Sequence, residues 1–384
     1  MSASLPNRAE SSPSSRYVPE GSGTRTDFYS PARISSRPRS VSRNLVLFVL
    51  VLGLILGFIL LNLAVGTVPI PVRSVWAVLL GHGEGTSEVW QNIIWKSRFP
   101  QTLTALVSGI GLSVSGLQMQ TIFRNPLAGP SELGISSGAS LGVASIVLLS
   151  GSLWGTALSG LGFAGEMAVT LSAILGAGLV MVVILILSQK VRGNAVLLIM
   201  GVMIGYIATA IIGVMKFFSS DEDVRSYVVW GLGSFSNVTG DHLWFFAGMM
   251  TLLLPLAFLL IKPLNLLRLG DNYARSLGLN VRRARLAIIA TACIYTAIVT
   301  AYCGPIVFLG LAVPHLCRTI FGTSDHRILM PAVTLVGAAL ALICNLIARM
   351  PGFEGALPIN SVTALIGAPI VISVLFGKRR EEIN

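Results

Sequence analysis

The sequence predicts an all-α polytopic membrane protein with about ten transmembrane helices. Of its 384 residues, 53% are hydrophobic and only 11% are charged, whereas soluble domains carry about 25% charged residues. Apolar runs close to the ~20 residues that cross a bilayer recur along the chain. They fall at roughly 45–65, 99–121, 134–150, 167–189, 195–218, 241–262, 284–303, 305–321, 328–349 and 359–377. The third and eighth runs are short and are interrupted by Gly or Pro.

The distribution of charge supports ten spans and predicts their orientation. With the amino terminus inside, 21 of the 27 basic residues lie on the cytoplasmic side. An excess of Lys and Arg in short cytoplasmic loops is the rule for membrane proteins. Because ten is an even number, both termini are then cytoplasmic. This orientation explains the net charge of +11, so we predict no nucleic-acid partner, although basic chains often bind phosphate.

The first 43 residues differ from the rest of the chain. They are rich in Ser, Pro and Arg and have almost no aliphatic periodicity, a composition that cannot bury enough apolar area to fold. We therefore predict a disordered cytoplasmic tail at 1–43 and a ten-span membrane domain at 44–380. The first apolar run starts at Leu45 and is too long for the core of a cleaved signal peptide.

The loop between the sixth and seventh spans predicts two short helices on the cytoplasmic side. Asp271 is expected to cap a helix that runs to Leu277, with Gly278 ending it in the left-handed conformation. Asn280 is expected to cap a second helix that continues into the next span. Such a pair suits a docking element for a partner, while a solvated basic loop that follows the orientation rule explains the local sequence equally well.

Two arginines mark the outer side. Arg98 precedes Pro100 at the start of the second span, and Arg349 ends the ninth, with Asn345 one turn earlier. Guanidinium groups at a surface can form bidentate pairs with carboxylates of a soluble partner, or they can simply extend to the membrane interface. A further short amphipathic helix is predicted at 221–235, with Asp221 as its cap.

Motifs for chemistry are missing from the sequence. The chain has no GxxxxGK[ST], HExxH or GxSxG pattern, and His315 is predicted to make a structural hydrogen bond. Glycines 134, 138 and 142 are expected to share one helix face and to allow close helix packing. We predict no catalytic residue, no metal site and no cofactor. The four cysteines lie in or beside apolar segments and are assigned neither a disulfide nor a metal: Cys293, Cys303, Cys317 and Cys344.

Several longer motifs occur together in one order along the chain. They include Arg98-Phe-Pro100, Phe123-Arg-Asn-Pro-Leu-Ala128, Ala274-Arg-Ser-Leu-Gly278, Gly304-Pro-Ile-Val-Phe-Leu-Gly-Leu311, Pro314-His315, Asp325-His326-Arg327 and Thr363-Ala-Leu-Ile-Gly-Ala-Pro369. Over roughly residues 45–380 the chain resembles permeases of the FecCD family, the membrane subunits of type II ABC importers for cobalamin, haem and iron–siderophores. The resemblance implies the type II ABC importer permease fold in the inner (cytoplasmic) membrane.

The resemblance also implies partners and sites. Two copies of the chain would work with two cytoplasmic ABC ATPase subunits and a periplasmic substrate-binding protein, and the cargo would be an iron chelate, haem or cobalamin. The fifth and tenth spans and the 221–235 helix would line the path. ATPase coupling is expected at 270–285, through Asp271, Ala274, Arg275, Ser276, Leu277, Gly278, Leu279, Asn280, Arg282 and Arg283. Docking of the binding protein is expected at Lys96, Arg98, Gln101, Arg349 and Glu354, although Gln101 stands where the family usually has a second arginine.

Two other classes of protein remain as alternatives. A stand-alone secondary transporter or channel would move solute without an ATPase, but the chain has essentially no membrane-embedded acids for a proton relay. An intramembrane enzyme would need a reactive cluster, such as facing Asp residues or a His-rich metal site, and the sequence has neither.

Overall fold

The computed structural model describes residues 41–66, 68–81, 87–154, 163–191, 193–350 and 356–381. Most of the predicted tail at 1–43, and Glu354, lie outside the described residues. Within the described ranges the secondary structure is helical, and its α-helices run as follows: α1 Val41–Ala64, α2 Val72–Leu79, α3 Glu88–Ile93, α4 Phe99–Phe123, α5 Ile135–Trp154, α6 Phe163–Lys190, α7 Asn194–Phe217, α8 Asp221–Gly231, α9 Asp241–Leu259, α10 Ile261–Arg268, α11 Asp271–Ser276, α12 Val281–Cys303, α13 Phe308–Phe321, α14 His326–Ala348 and α15 Ile359–Glu381.

The ten predicted spans are confirmed as helices α1, α4, α5, α6, α7, α9, α12, α13, α14 and α15. Seven helices in the described residues are long and apolar enough to cross a membrane. The described apolar stretches of α5, α13 and α15 are shorter, at Ile135–Leu149, Phe308–Phe321 and Ile359–Ser373. Pro314 lies inside α13, as the interrupted pattern of the eighth run predicted.

Helix α4 is the centre of the bundle. In the most apolar stretch of 18 residues, 83% are buried for α4, whereas only 6% are buried for α1. α4 packs against α12, α13 and α14, and it does so through backbone as well as side chains. A Cβ atom on Gly116 would overlap the carbonyl oxygen of Gly310 in α13. Small residues are therefore required where these two helices cross.

Two local predictions about glycine and capping are wrong. Gly134 precedes α5 with a φ of +77° and packs against Gly201 of α7, whereas Gly142 packs against α6. The three glycines therefore do not form one stripe, because a 3-10 turn comes between α4 and α5. In α8 the N-cap is Ser220, which accepts a hydrogen bond from the Asp223 N–H, and Asp221 is the first helical residue. The helix ends at Gly231, within the predicted 221–235 segment.

Candidate functional site: the two ends of the bundle

At the end of the bundle where α4 finishes, Asp271 joins three elements. Its carboxylate accepts a hydrogen bond from Arg124 at 2.9 Å and from Arg285 at 2.8 Å. The prediction that Asp271 caps α11 is wrong, because Gly270 is the N-cap and no side chain caps this helix. The carboxylate instead ties the end of α4 to the starts of α11 and α12. We call Arg124, Asp271 and Arg285 the inner triad.

Arg124 is held in an uncommon backbone conformation. Its φ of +48° makes it the one non-glycine residue with positive φ in the described part of the chain. Its guanidinium also donates to the Leu267 carbonyl oxygen at 3.1 Å. Residues kept in the left-handed region need support from their surroundings and are frequent at functional sites. The contacts to α10 and α11 supply that support.

Helix α11 presents an apolar surface at this end. Ala274 is fully buried and anchors the helix, while Tyr273 and Leu277 are 52% and 54% exposed. Arg275, Ser276 and Gly278 are also exposed, and Leu279 is half-buried. Gly278 has the predicted left-handed conformation, with a φ of +81°. The predicted cap at Asn280 is confirmed, since its side-chain oxygen accepts the Arg283 N–H at 3.1 Å.

The end of α4 and the loop that follows it are fixed to α13. His315 makes the predicted structural hydrogen bond, with Nε2 2.9 Å from the Pro126 carbonyl oxygen. Arg318 donates to Gln120 at 2.5 Å, and Gln120 donates to the Leu311 carbonyl oxygen at 3.1 Å. Burial by itself would raise the pKa of Asp325, but hydrogen bonds from the Arg327 N–H and the Asn265 amide lower it below its ordinary value. These contacts make the whole end of the bundle a connected unit.

At the opposite end, Arg98 is buried, with 1% of its surface exposed. It donates to the carbonyl oxygens of Leu63 and Ala64 at 2.7 Å each, and also to that of Val68. Carbonyl groups in the last turn of a helix have no partner within the helix. Arg98, the last residue of a π-helical turn at Ile94–Arg98, therefore caps the carboxyl end of α1.

Arg349 reaches the same place from α14. Its guanidinium is 3.4 Å from the Asn62 carbonyl oxygen, and Asn345 donates to the Asn62 side-chain oxygen at 2.8 Å. Arg349 and Arg98 both come within 3.1 Å of where a Cβ on Gly66 would lie. Burial and the charge of Arg98 lower the pKa of Arg349 to about 10. We call Arg98 and Arg349 the outer arginine pair.

The other residues predicted to bind a partner at this end are spread out. Lys96 is exposed, and Gln101 is buried in α4. Glu354 lies outside the described residues. The docking role of this set stays a prediction. Asn62 was missed by the sequence reading, and its signal was a single amide in the last turn of an otherwise apolar first span.

With both ends of the bundle described, the chain can be compared with known proteins. It matches the model of the FecCD transport family over residues 54–377. The chain belongs to this family. The vitamin B12 import system permease protein BtuC of Klebsiella pneumoniae is 38% identical over 300 residues, which cover 77% of this chain and 86% of BtuC. BtuC of Escherichia coli O9:H4 is 35% identical over 287 residues, or 75% and 84% of the two chains.

A solved structure supports the FecCD assignment. A protein described as a metal-chelate type ABC transporter, in an inward-facing conformation, matches with a TM-score of 0.74 and 28% identity. The match covers 86% of this chain and 99% of the other. This FecCD-family chain therefore has the type II importer permease fold and is the membrane-spanning transport subunit of an ABC importer. The predicted family and fold are confirmed.

Proposed function

We propose that this permease works as a homodimer that imports a large organic metal complex, driven by cytoplasmic ATPase subunits that bind at 270–285. The observation that carries the proposal is the apolar surface of α11, formed by Tyr273 and Leu277. Both side chains are about half exposed, although the helix that carries them is anchored by buried Ala274 and tied to α4 and α12 by the inner triad. Exposed apolar side chains on a fixed support suit a protein partner.

The inner triad gives the partner a mechanical connection to the bundle. A force applied to α11 would pass through Asp271 to the end of α4 and the start of α12. These two helices have the largest buried fractions among the helices long and apolar enough to cross a membrane, at 83% and 78%. When the ATPase subunits close, they would then shift the equilibrium between two arrangements of the permease helices. Transport proteins that switch by movement of rigid elements work in this way.

The outer arginine pair is proposed to receive an acidic group of a substrate-binding protein. Two guanidinium groups converge near Gly66, and no ion pair with a carboxylate accompanies them among the described residues. An incoming carboxylate would relieve their repulsion by pairing with Arg349, which is partly exposed, whereas Arg98 is buried beneath it. This assigns the arginine end to the outside and both termini to the cytoplasm, in agreement with the distribution of Lys and Arg.

The proposed cargo is a corrinoid or an iron chelate. The curated relatives above transport vitamin B12 by name, and the solved relative is described as a metal-chelate type transporter. An iron–siderophore, haem or cobalamin would each fit this class. Among them, the sequence identity to BtuC favours cobalamin.

The test is reconstitution of the permease with its ATPase and binding protein in proteoliposomes. We expect ATP-dependent uptake of cobalamin or an iron chelate, and no uptake when the ATPase is omitted. The Tyr273→Ala, Leu277→Ala double variant should lower ATPase recruitment and uptake about tenfold, which corresponds to ~1.4 kcal/mol of binding energy.

A matched control is Val89→Ala, which removes an equally exposed apolar side chain at the opposite end of the bundle. This variant should recruit the ATPase normally. Uptake without any ATPase would contradict the proposal and favour a secondary transporter. Normal recruitment by the double variant would exclude α11 as the coupling helix.

A further inference from the structure

A short helix, α2, is fixed beside the end of α1. The Ile70 N–H donates to the Ala64 carbonyl oxygen at 3.1 Å, and Arg98 donates to the carbonyl oxygen of Val68. A small buried cluster, separate from the main core, also joins α2 to the end of α1 and to the turn before α4. Its members are Leu63, Ala64, Ile70, Val75, Val78 and Ile94. These contacts hold α2 in place against the last turn of α1.

The side of α2 that faces away from this cluster is apolar and exposed. Val72, Trp76 and Leu80 are spaced by four residues, so they share one side of the helix. Together with Val68, which precedes the helix, they are between 41% and 65% exposed. The helix contains no acidic residue, and its one charged residue, Arg73, is also exposed. A contiguous apolar surface of this kind indicates that something covers it.

The length of α1 places α2 at the boundary of the bilayer. The apolar part of α1, from Leu45 to Ala64, has 20 residues. At a rise of ~1.5 Å per residue it spans ~30 Å, which is the thickness of the hydrocarbon core of a bilayer. Only 6% of the most apolar stretch of α1 is buried, so lipid surrounds most of this helix. Because α2 packs on Leu63 and Ala64, it lies where the hydrocarbon meets the headgroups.

Tryptophan side chains at this end support the same depth. Trp95 and Trp244 are exposed, and both pack on Phe99, with ring centroids 5.3 Å and 6.4 Å away. Phe99 also packs against the cluster that holds α2. Tryptophan is enriched where membrane proteins pass from lipid to water. The aromatic group therefore agrees with the depth that the length of α1 gives.

Phospholipid fits this surface better than a protein partner does. An amphipathic helix in the plane of the interface buries apolar side chains at the boundary of the acyl chains and keeps basic ones among the headgroups. The Arg73 side chain is long enough to reach lipid phosphates while its stem stays against the apolar surface. The surface is also continuous along the chain with α1, which lipid already surrounds.

We propose that the exposed side of α2 is inserted into the phospholipid leaflet at this end of the bundle, with Val72, Trp76 and Leu80 among the upper acyl chains and Arg73 at the phosphates. Helix α2 then anchors the end of α1 at the membrane surface. The proposal requires only that α1 crosses the bilayer. It does not depend on the cargo, on the ATPase or on the number of copies in the assembly.

The experiment attaches a nitroxide spin label to the full-length chain in nanodiscs of phosphatidylcholine and phosphatidylglycerol. The natural cysteines are buried, so the label reacts with an introduced one, in Val72→Cys or Trp76→Cys. Collisions of the label with O₂, which concentrates in lipid, are compared with collisions with a water-soluble nickel chelate. Both variants should favour O₂, as should Leu52→Cys on the exposed side of α1. Asp221→Cys, in the exposed and acidic first turn of α8, is the aqueous control and should favour the nickel chelate.

A label at Arg73→Cys should give an intermediate ratio, because the phosphates lie between lipid and water. Each variant is compared with wild type by size-exclusion chromatography, and exposed positions should leave the profile unchanged. Preference for the nickel chelate at Val72→Cys and Trp76→Cys would overturn the proposal. Exclusion of both reagents would also overturn it, since a second copy would then cover α2. Loss of access to the nickel chelate only after addition of the binding protein would assign this surface to that protein instead.

Discussion

The outer arginine pair and the inner triad each bring two arginines together, but they differ in what balances the charge. At the inner end, one carboxylate lies between Arg124 and Arg285. At the outer end, Arg98 and Arg349 have carbonyl oxygens as partners, and Arg98 is buried. The comparison teaches that a carboxylate joins the arginines of the inner end, whereas neutral carbonyl groups meet those of the outer end. Under the proposed function, the inner end would transmit force and the outer end would receive an anion.

The largest expected effect is loss of stability in Arg98→Gln. This change leaves the buried carbonyl groups of Leu63 and Ala64 at the end of α1 without their arginine donor, and each such group costs about 1–3 kcal/mol. We expect the free energy of unfolding to fall by roughly 3 kcal/mol, measured by chemical unfolding in detergent. Lys96→Gln, in the same π-helical turn but exposed, should be close to neutral. A fully stable Arg98→Gln protein would mean that the arginine serves docking alone.

The next effect concerns coupling at the inner end. Asp271→Asn leaves Arg124 and Arg285 facing each other with no anion between them. Uptake per ATP hydrolysed should fall about tenfold, within the usual range of coupling energies of 1–3 kcal/mol. Stability should change by less than about 1 kcal/mol, because partly exposed ion pairs contribute little. Unchanged uptake per ATP would show that the triad does not transmit force.

The smallest effect is expected at Arg349, the less buried member of the outer arginine pair. Arg349→Gln should lower the ratio of binding-protein-stimulated to basal ATPase activity about fivefold, near 1 kcal/mol. Arg73→Gln is the control, since Arg73 is exposed at the same end and belongs to neither arginine group. If both variants are stimulated alike, the docking surface lies elsewhere, and the comparison between the two ends would have to be abandoned.

Features carried by local sequence were predictable. The ten spans follow from composition, Gly278 from the need for a left-handed residue, and the Asn280 cap from a polar residue placed before a helix. Asp271 is also a polar residue placed before a helix, but the prediction that it caps α11 was wrong. Its partner Arg124 is 147 positions away, and nothing in the neighbouring residues indicates that the end of α4 returns to α11.

The outer end was harder to predict for the same reason. Arg98 and Arg349 were identified as a pair from their family positions, but their contacts with Asn62, Leu63 and Ala64 join parts of the chain far apart in sequence. From sequence alone, an arginine at the end of a helix is equally consistent with an exposed side chain and with a buried one that caps another helix. Only the packing of α1 on α14 decides between them.

The contact between Gly116 and Gly310 restricts how this transporter can move. Where two helices touch backbone to backbone, no side chain lies between them that could change rotamer and let one slide past the other. We therefore expect α4 and α13 to keep this crossing when the transporter changes between its inward-open and outward-open states, because a slide of one helix along the other would press backbone atoms together.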